Sequence, residues 1–495
     1  MSKKSKYGLL GAVVVVVYLT TALNSTGYHH PDEHYQIIEF AGLKGGWNTG
    51  GDLCWEYDSQ MRPTLQPMIA LLVFETLNAL GIGNPFSQAT VLRIISCLFA
   101  LFCIRLFIRA VKPQIEEKYR IVFVALSCLL WFLPAINVRF SSEAWAGFLL
   151  LLVVAFLVQT TDCRPQRRMY FFGMGVLWAF CFEFRYQTGI SLLGLFLWLI
   201  WVKKEKTAHL LYLLSGGALT VIACSLLDSW YYGNVVFAPW NYFKTTLIDE
   251  MAPHFGASPW YYYFENMVSR PTPLIGWLIV VALVVFVVFQ PKNPAVWCLV
   301  PFILVHSLIA HKELRFLFPT VNFIPFVLIM AYQSLLPEWK TKLFRAVTLP
   351  VCVVMMIVNA GGLLLLMFKP ASDGNIEMLR YLDKNYEQVR LYTIAWSNPY
   401  TLGDIKGLTP HFYSNDRVSV KNLQNVLAQN SDERLQNNDL VMLLACYHEA
   451  DYLEKQGFRV EYRSIPVWIE KLDRFYQVYS QYSNIFILYS KKQRE

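Results

Sequence analysis

The chain contains 495 residues, of which 55% are hydrophobic and 16% are charged, and its formal net charge at pH 7 is +8. Soluble domains carry roughly 25% charged residues, so the composition argues against an ordinary cytosolic enzyme, and the apolar and aromatic content excludes disorder, collagen and coiled coil. The positive charge fits a membrane protein with a basic cytoplasmic face. Zinc-finger spacing and aromatic-interleaved basic runs are absent from the sequence, so we predict no nucleic-acid partner.

Long apolar runs predict the membrane-spanning helices, because a helix needs about 20 apolar residues to cross the hydrocarbon core. Another apolar stretch, 64–80, contains Pro67, Glu75 and Asn78 and is ambiguous. We interpret eleven runs as spans: 9–23, 91–110, 121–137, 143–160, 169–182, 187–202, 208–227, 273–290, 295–310, 316–336 and 345–368.

Lysine and arginine decide whether 64–80 crosses, since these residues favour cytoplasmic loops. The basic start of the chain places the N-terminus inside. If 64–80 crosses, the basic loops 163–168, 201–206 and 338–342 all fall outside, and if it does not, all three fall inside. We therefore predict an α-helical polytopic membrane protein with about eleven spans plus a re-entrant or interfacial helix at 64–80.

This topology divides the chain into a transmembrane domain, 1–368, and a C-terminal domain, 369–495, on the extracytoplasmic side. The C-terminal region has frequent, balanced charges and alternating helix and strand signals, which predict a small α/β accessory domain. The helix signals are Ile376–Lys384 and HEADYLEKQGF (448–458), and the strand signals are Leu391–Ala395, DLVMLLACY (439–447), RVEYRSI (459–465) and NIFILYS (484–490).

The first candidate functional cluster, His30-Pro31-Asp32-Glu33-His34, follows the first span directly. Proline followed by two acids is typical of a helix start, so a capped interfacial helix is one interpretation. Acidic residues at the membrane surface cost free energy unless they are solvated or serve a function, so a functional carboxylate is the second interpretation. The two acids point in different directions on a helix. His30 and His34 would share a helix face, but they lack the H-E-x-x-H order of a zinc helix, and we predict no metal.

The second cluster consists of basic and amide side chains at span ends. Each alone fits interfacial anchoring, in which a long side chain reaches back to water. Together they lie on one side of the membrane, where guanidinium and ammonium groups suit a phosphate. The residues are Arg62, Arg139, Arg185, Gln187 and the run His311-Lys312-Glu313-Leu314-Arg315, within which His311, Lys312 and Arg315 are the candidates.

The third cluster is the loop 228–267, which is dense in tryptophan and tyrosine and includes Tyr231, Trp240 and Asn241. Such a loop fits an aromatic belt at the headgroup level, or a surface that faces sugar and lipid. The three clusters permit an outward-facing enzyme or a transporter. Charged residues at span ends and the lack of an apparent internal repeat disfavour transport, but a glycolipid flippase and a non-catalytic assembly subunit stay open.

Four separated motifs carry a family resemblance: HPDEHYQ (30–36), DSWYYGNVVFAPWNYFK (228–244), HFGASPWYYYF (254–264) and HKELRFLFP (311–319). Together they resemble the mannosyltransferases of glycosyltransferase family 22, which have the GT-C membrane fold. The central loop is most similar to the branch that adds the third mannose of the glycosylphosphatidylinositol anchor. The chain departs from the family at Arg62-Pro63-Thr64, where a sequence similar to R-S-Y is usual.

The resemblance implies inverting transfer of mannose from a polyprenyl-phosphate-linked donor to a hydroxyl of a lipid-linked glycan acceptor. The reaction would take place among membrane lipids, on the extracytoplasmic face of the endoplasmic reticulum or of a bacterial inner membrane. Because the donor is itself the lipid phosphate sugar, we predict no cofactor. A donor with a different sugar is the alternative within the enzyme class.

The resemblance also implies roles for individual residues. Asp32 would be the general base, with Glu33 as the reserve candidate. Arg185, Lys312 and Arg315 would stabilise the leaving phosphate, assisted by His311 and Arg62. We assign the remaining candidates to substrate binding: His30, His34, Gln187, Trp240, Asn241 and Tyr231.

Overall fold

The computed structural model describes most of the chain as helix. The described residues are 2–159, 167–249, 251, 255–335, 342–371, 374–394, 397–400, 409–414, 417–424, 435–436, 438–444, 449–476 and 485–491. In chain order the helices are α1 (Lys3–Asn24), α2 (Pro31–Tyr35), α3 (Ile38–Gly45), α4 (Leu65–Ala79), α5 (Pro85–Val111), α6 (Arg120–Leu129), α7 (Leu133–Asn137), α8 (Ser142–Gln159), α9 (Arg167–Phe184), α10 (Gly189–Trp201), α11 (Thr207–Tyr232), α12 (Ala238–Phe243), α13 (Tyr262–Ser269), α14 (Pro273–Phe289), α15 (Pro294–Leu308), α16 (Ile324–Ser334), α17 (Lys342–Phe368), α18 (Asn375–Asn385), α19 (Glu449–Lys455) and α20 (Val467–Tyr476).

Within the described residues, six helices are long and apolar enough to cross a membrane: Ser5–Asn24, Pro85–Gln114, Ser142–Gln159, Thr207–Tyr232, Leu314–Ser334 and Pro350–Phe368. The protein is therefore a multi-pass membrane protein. Helix occurs in each predicted span, including shorter apolar helices such as α14 and α15, while the count of eleven stays a prediction. Much of two predicted basic loops, 163–166 and 338–341, lies outside the described residues.

The predicted span 121–137 is interrupted between α6 and α7. Helix α6 ends at Leu129, where the chain becomes extended, and Pro134 lies in the first turn of α7. The side chain of Asn359 occupies the break: its Nδ2 donates to the Leu129 carbonyl at 2.7 Å, and its Oδ1 accepts from the Trp131 amide at 2.9 Å. These bonds satisfy backbone groups that have no water partner inside a membrane, which is why a broken helix is tolerated here.

The C-terminal region forms a mixed five-stranded sheet with the order β2-β1-β3-β5-β4. The strands are β1 (Val389–Thr393), β2 (Val418–Asn422), β3 (Leu440–Leu444), β4 (Arg459–Arg463) and β5 (Phe486–Ser490). Strand β1 pairs in parallel with β2 and β3, and β5 pairs antiparallel with β3 and β4.

The sheet and its helices confirm the predicted α/β character of this region. Leu391, Met442 and Leu488 are fully buried in its core. Strand β2 and helix α20 were not predicted. Residues 395, 445–448 and 484, which belong to four of the sequence signals, lie outside the described residues.

The chain divides into two compact units. The first, here the helical unit, contains residues 1–21, 59–66 and 93–364, and the second, here the sheet unit, contains 22–58, 67–92 and 365–495. The predicted domain boundary at 368 lies near the last of these divisions. The sheet unit also contains two N-terminal segments, one of which carries Asp32, and this grouping was not predicted.

Glycines bring α9 and α11 into close contact in the helical unit. A Cβ atom added at Gly175 would lie 1.9 Å from the Leu213 carbonyl oxygen, and one at Gly216 would lie 2.1 Å from the Phe172 carbonyl oxygen. Small residues at helix–helix contacts let the two backbones approach, which is a common basis of helix association in membranes.

This contact predicts that Gly175→Ala destabilises the protein, whereas Gly173→Ala does not. Both replacements have the same effect on helix propensity, but an added Cβ at Gly173 meets no atom within 4 Å. Overpacking costs about 1–3 kcal/mol, so thermal unfolding of the detergent-solubilised protein should show a lower midpoint for Gly175→Ala only. Equal midpoints for the two variants would contradict the assignment.

Candidate active site

Helix α2 carries the acidic candidates and belongs to the sheet unit. Pro31 occupies its first turn, and the His30 side chain caps it, because His30 Nδ1 accepts a hydrogen bond from the Asp32 amide at 3.3 Å. The fixed φ of proline suits a helix start, and acids in the first turn interact favourably with the helix dipole. The predicted capped helix is therefore confirmed.

The two acids of α2 have different surroundings. The Asp32 side chain is 26% exposed, and its Oδ1 lies 3.6 Å from His30 Nδ1. Glu33 is 8% exposed, and its Oε2 accepts a hydrogen bond from the His29 amide at 2.9 Å. Glu33 thus fastens the preceding loop to α2, while Asp32 presents a more accessible carboxylate.

His34 lies on the buried side of the same helix. Its Nε2–H donates to Glu39 Oε1 at 2.6 Å, and its ring stacks between Tyr28 and Tyr413, each with a centroid distance of 5.3 Å. These contacts give His34 a packing role around α2, and its predicted substrate contact has no open surface here. Among the described residues, groups of three or more His, Cys, Asp or Glu side chains able to hold a metal ion were not found.

The helical unit holds a charged cluster around a buried carboxylate. Glu143 Oε1 lies 3.1 Å from Nη1 of Arg185 and 3.0 Å from Nη1 of Arg315. Glu313 pairs with Nε of Arg315 at 2.6 Å and with Nε2 of His311 at 3.0 Å. We call these five residues the charged cluster.

The charged cluster brings together three of the predicted basic residues, Arg185, His311 and Arg315, as expected. The sequence reasoning did not single out Glu143, and it assigned no role to Glu313. Glu143 and Glu313 offset the positive charge and hold the guanidinium groups in place, as a buried charge requires. The ring of Phe316 adds a second support, since both guanidinium carbons lie 5.3 Å from its centroid.

Lys312 does not join the charged cluster through its ammonium group. Its Nζ donates to the carbonyl oxygens of Ile309 at 2.5 Å, Ser258 at 2.8 Å and Ala310 at 3.4 Å. Burial lowers the pKa of the Lys312 ammonium, because desolvation disfavours the charged form. The three donors of this group already have partners, so a phosphate would have to displace a carbonyl.

Arg62 and Gln187 meet at Tyr242, which the sequence reasoning did not single out. The Arg62 guanidinium carbon lies 5.9 Å from the Tyr242 ring centroid, and Gln187 Nε2 donates to the Tyr242 hydroxyl. The Arg62 backbone is fixed as well, since its carbonyl accepts from the Tyr232 hydroxyl at 2.9 Å. Nearby in sequence, Asp228 Oδ1 accepts from the amide and hydroxyl of Thr64 at 2.8 and 2.7 Å.

The remaining candidates from the aromatic loop differ in exposure. Trp240 is 52% exposed, whereas Tyr231 is buried. Asn241 Nδ2 donates to the Gln60 carbonyl at 3.1 Å, which ties the loop to the segment before Arg62. Of the three, Trp240 offers the open aromatic surface that the loop composition predicted.

Two buried carboxylates that the sequence reasoning did not single out, Glu143 and Asp228, share one sequence signal. Glu143 and Asp228 each lie at the end of a long apolar run, as Arg185 does. A charged residue in that position needs a partner, and searching for acids at span ends would have found them.

Comparisons with known proteins agree with the sequence motifs. Residues 9–391 match the Alg9-like mannosyltransferase family. The chain is 26% identical to GPI mannosyltransferase 3 of Yarrowia lipolytica, over 71% of this chain and 67% of that protein. It is 23% identical to GPI alpha-1,2-mannosyltransferase 3 of Bos taurus, over 63% of this chain and 56% of that protein. The matched region therefore spans about two thirds or less of these relatives.

The fold is similar to that of a solved GT-C protein. ArnT from Cupriavidus metallidurans bound to undecaprenyl phosphate aligns with a TM-score of 0.54 and 12% identity, covering 100% of both chains. Its apo structure aligns with a TM-score of 0.55. At this identity the likeness supports the GT-C fold.

The charged cluster predicts that Glu143→Ala is strongly destabilising. Removing the carboxylate leaves two buried guanidinium groups without their shared counter-charge, which costs about 3–5 kcal/mol. Ser142→Ala is the matched control, because the uncharged Ser142 Oγ accepts one hydrogen bond from Arg185 at 3.2 Å and donates one to Glu143 at 3.2 Å, so its removal leaves the counter-charge in place. Thermal unfolding should show a large shift for Glu143→Ala and a small one for Ser142→Ala, and two small shifts would contradict the bridging role.

Proposed function

The chain belongs to the Alg9-like mannosyltransferase family, and from that membership we propose that it transfers mannose from a polyprenyl-phosphate donor to a hydroxyl of a lipid-linked glycan. The names of the similar GPI mannosyltransferases support a glycolipid acceptor. The structural likeness to a protein that binds undecaprenyl phosphate supports a lipid-phosphate donor. The transfer takes place on the extracytoplasmic face and inverts the configuration at the anomeric carbon.

Asp32 is the general base of this proposal. The acceptor hydroxyl oxygen attacks C1 of the mannose, the bond from C1 to the phosphate oxygen breaks with its electron pair, and Asp32 takes the hydroxyl proton. A general base must reach the proton that it removes. The observation that carries the assignment is the difference between the acids: Asp32 is part exposed, while Glu33 is buried and bonded to the His29 amide.

Arg185 is the main candidate for the leaving phosphate. Among the described residues its protein hydrogen bonds and ion pairs involve Nη1 only, so Nε and Nη2 can contact phosphate oxygens. A guanidinium held in place before the reaction stabilises developing negative charge without reorganisation. Arg315 and His311 contribute through the same charged cluster, and Lys312 and Arg62 are the further candidates.

Substrate contacts beyond the phosphate come from partly or fully exposed groups near span ends. Trp240 has the open aromatic face that packs against sugar C–H groups or a prenyl chain. Gln187, Asn241 and His30 are the polar candidates. Tyr231 and His34 are buried and support their neighbours, so any effect on the substrate passes through other residues.

The base assignment predicts that Asp32→Asn lowers transfer about 10²–10⁴-fold, because the amide cannot accept the proton. Glu33→Gln is the control, since its amide oxygen still accepts from the His29 amide, and it should keep near-normal transfer. The assay is transfer of radiolabelled mannose from polyprenyl phosphate to a panel of lipid-linked acceptors. If Glu33→Gln abolishes transfer and Asp32→Asn retains it, the two roles are reversed.

The donor assignment predicts that polyprenyl-phosphate mannose supports transfer, whereas GDP-mannose alone does not.

Guanidinium groups stabilise the leaving phosphate in this proposal, so a chelator should leave the rate of the purified enzyme unchanged. Loss of activity with EDTA that returns with a divalent cation would contradict it. Translocation of a glycolipid without a new glycosidic bond would support a flippase instead.

A further inference from the structure

Glu39, a buried carboxylate on α3, accepts hydrogen bonds from three separate parts of the sheet unit. Its Oε1 accepts from His34 Nε2 at 2.6 Å and from the Phe412 amide at 3.1 Å, and its Oε2 accepts from Asn48 Nδ2 at 2.6 Å. The residue is 2% exposed. A buried carboxylate is stable only when its oxygens are hydrogen-bonded, and this one has protein donors on both oxygens.

Aromatic rings reinforce the same connection. The His34 ring stacks between Tyr28 and Tyr413, and Tyr413 also stacks on Phe86 with a centroid distance of 5.1 Å. His34 lies two positions after Asp32 in the five-residue helix α2. A helix of this length is not stable alone, so outside contacts set its orientation. The contacts that fix the position of His34 therefore also fix the position of Asp32 on the same helix.

The partner of this helix comes from the C-terminal sheet region. Phe412 and Tyr413 belong to a short 3-10 turn, His411–Tyr413, which lies in the connection between strands β1 and β2. The Phe412 ring packs on Phe74 at 4.7 Å and on Trp47 at 5.5 Å. The turn is thus packed against N-terminal segments of the same unit by both rings and a backbone hydrogen bond.

From these contacts we infer that Glu39 is a positioning residue for Asp32, and that the turn His411–Tyr413 is a required part of the support of the catalytic base. The inference rests on the proposed role of Asp32. Glu39 does not contact the reacting atoms. It acts by fixing His34, and through His34 the rotation of α2.

The chemistry of the site explains why a carboxylate is needed. Both oxygens of Glu39 accept hydrogen bonds, Oε1 from His34 and the Phe412 amide and Oε2 from Asn48. A glutamine at this position would replace one oxygen by an NH2 group, which would then face a donor instead of an acceptor. Leaving a buried donor without a partner is costly. Asn48 Nδ2 also donates to the Glu39 backbone carbonyl at 2.9 Å, so Asn48 holds both the side chain and the backbone of Glu39.

Hydrogen–deuterium exchange of the full-length protein in detergent tests the connection without any activity. Glu39→Ala should speed exchange about tenfold or more at the Phe412 amide and in peptides covering α2, because a charge-assisted hydrogen bond is lost. Exchange in β3 and β5 should not change. Asp473→Ala is the matched control: it removes a buried ion pair of the same unit, with Lys369 at 2.5 Å, that does not involve α2. It should leave α2 unchanged.

Transfer kinetics test the positioning role. A displacement of about 1 Å can lower a rate about 100-fold, so Glu39→Ala should lower kcat by roughly 10–100-fold per folded molecule while the donor KM changes less than about twofold. Tyr413→Ala, which removes the ring stacked on His34, should act in the same direction.

The two measurements separate the possible failures. Unchanged exchange at Phe412 and α2 in Glu39→Ala, or in Tyr413→Ala where Glu39→Ala does not fold, would overturn the inference. Wild-type kcat in these variants would overturn it as well. Absence of transfer by the wild-type protein would instead count against the proposed function, and the exchange experiment would still decide whether Glu39 holds α2.

Discussion

A charged side chain that leaves water must find a partner, and this constraint organises the candidate site. Glu143 pairs with two arginines, Glu39 accepts hydrogen bonds on both carboxylate oxygens, and Lys369 pairs with Asp473. Each of these groups includes at least one contact between segments that are distant in sequence. Buried ion pairs add little net stability over apolar packing, but breaking one is costly, so they favour one arrangement of the chain over others.

The same constraint separates residues that position from residues that react. Glu33, His34 and Lys312 have buried side chains that bond to nearby backbone or side-chain groups, and such contacts hold local structure. Asp32 keeps a part-exposed carboxylate, and Arg185 keeps nitrogen atoms outside its contacts with Ser142 and Glu143. A residue that binds or reacts with a substrate must be accessible to it, and the part-exposed side chain of Asp32 meets that condition.

The sequence predicted elements whose signals are local. Apolar runs located the helices, and proline with two acids located the start of α2. The break between α6 and α7 was not predictable, because it depends on the amide of Asn359, more than two hundred residues away. Strand β2 was missed because its sequence, VSVKN, is only partly apolar. The strand lies at the edge of the sheet and pairs with β1 alone, so it does not need the continuous apolar sequence of a central strand.

The composition of the charged cluster was predictable only in part, for the same reason. Arginines at span ends stand out in an apolar sequence, but the choice of Glu143 as the partner of both Arg185 and Arg315 depends on how three separate segments pack. Glu39 is the extreme case, since the Phe412 amide lies 373 positions away.

The C-terminal region looks like an accessory domain in the sequence because its composition differs. However, the Phe412 amide of this region bonds to Glu39 and the Tyr413 ring stacks on His34, so the region is part of the structure that holds α2. Amino-acid composition does not reveal such a contribution.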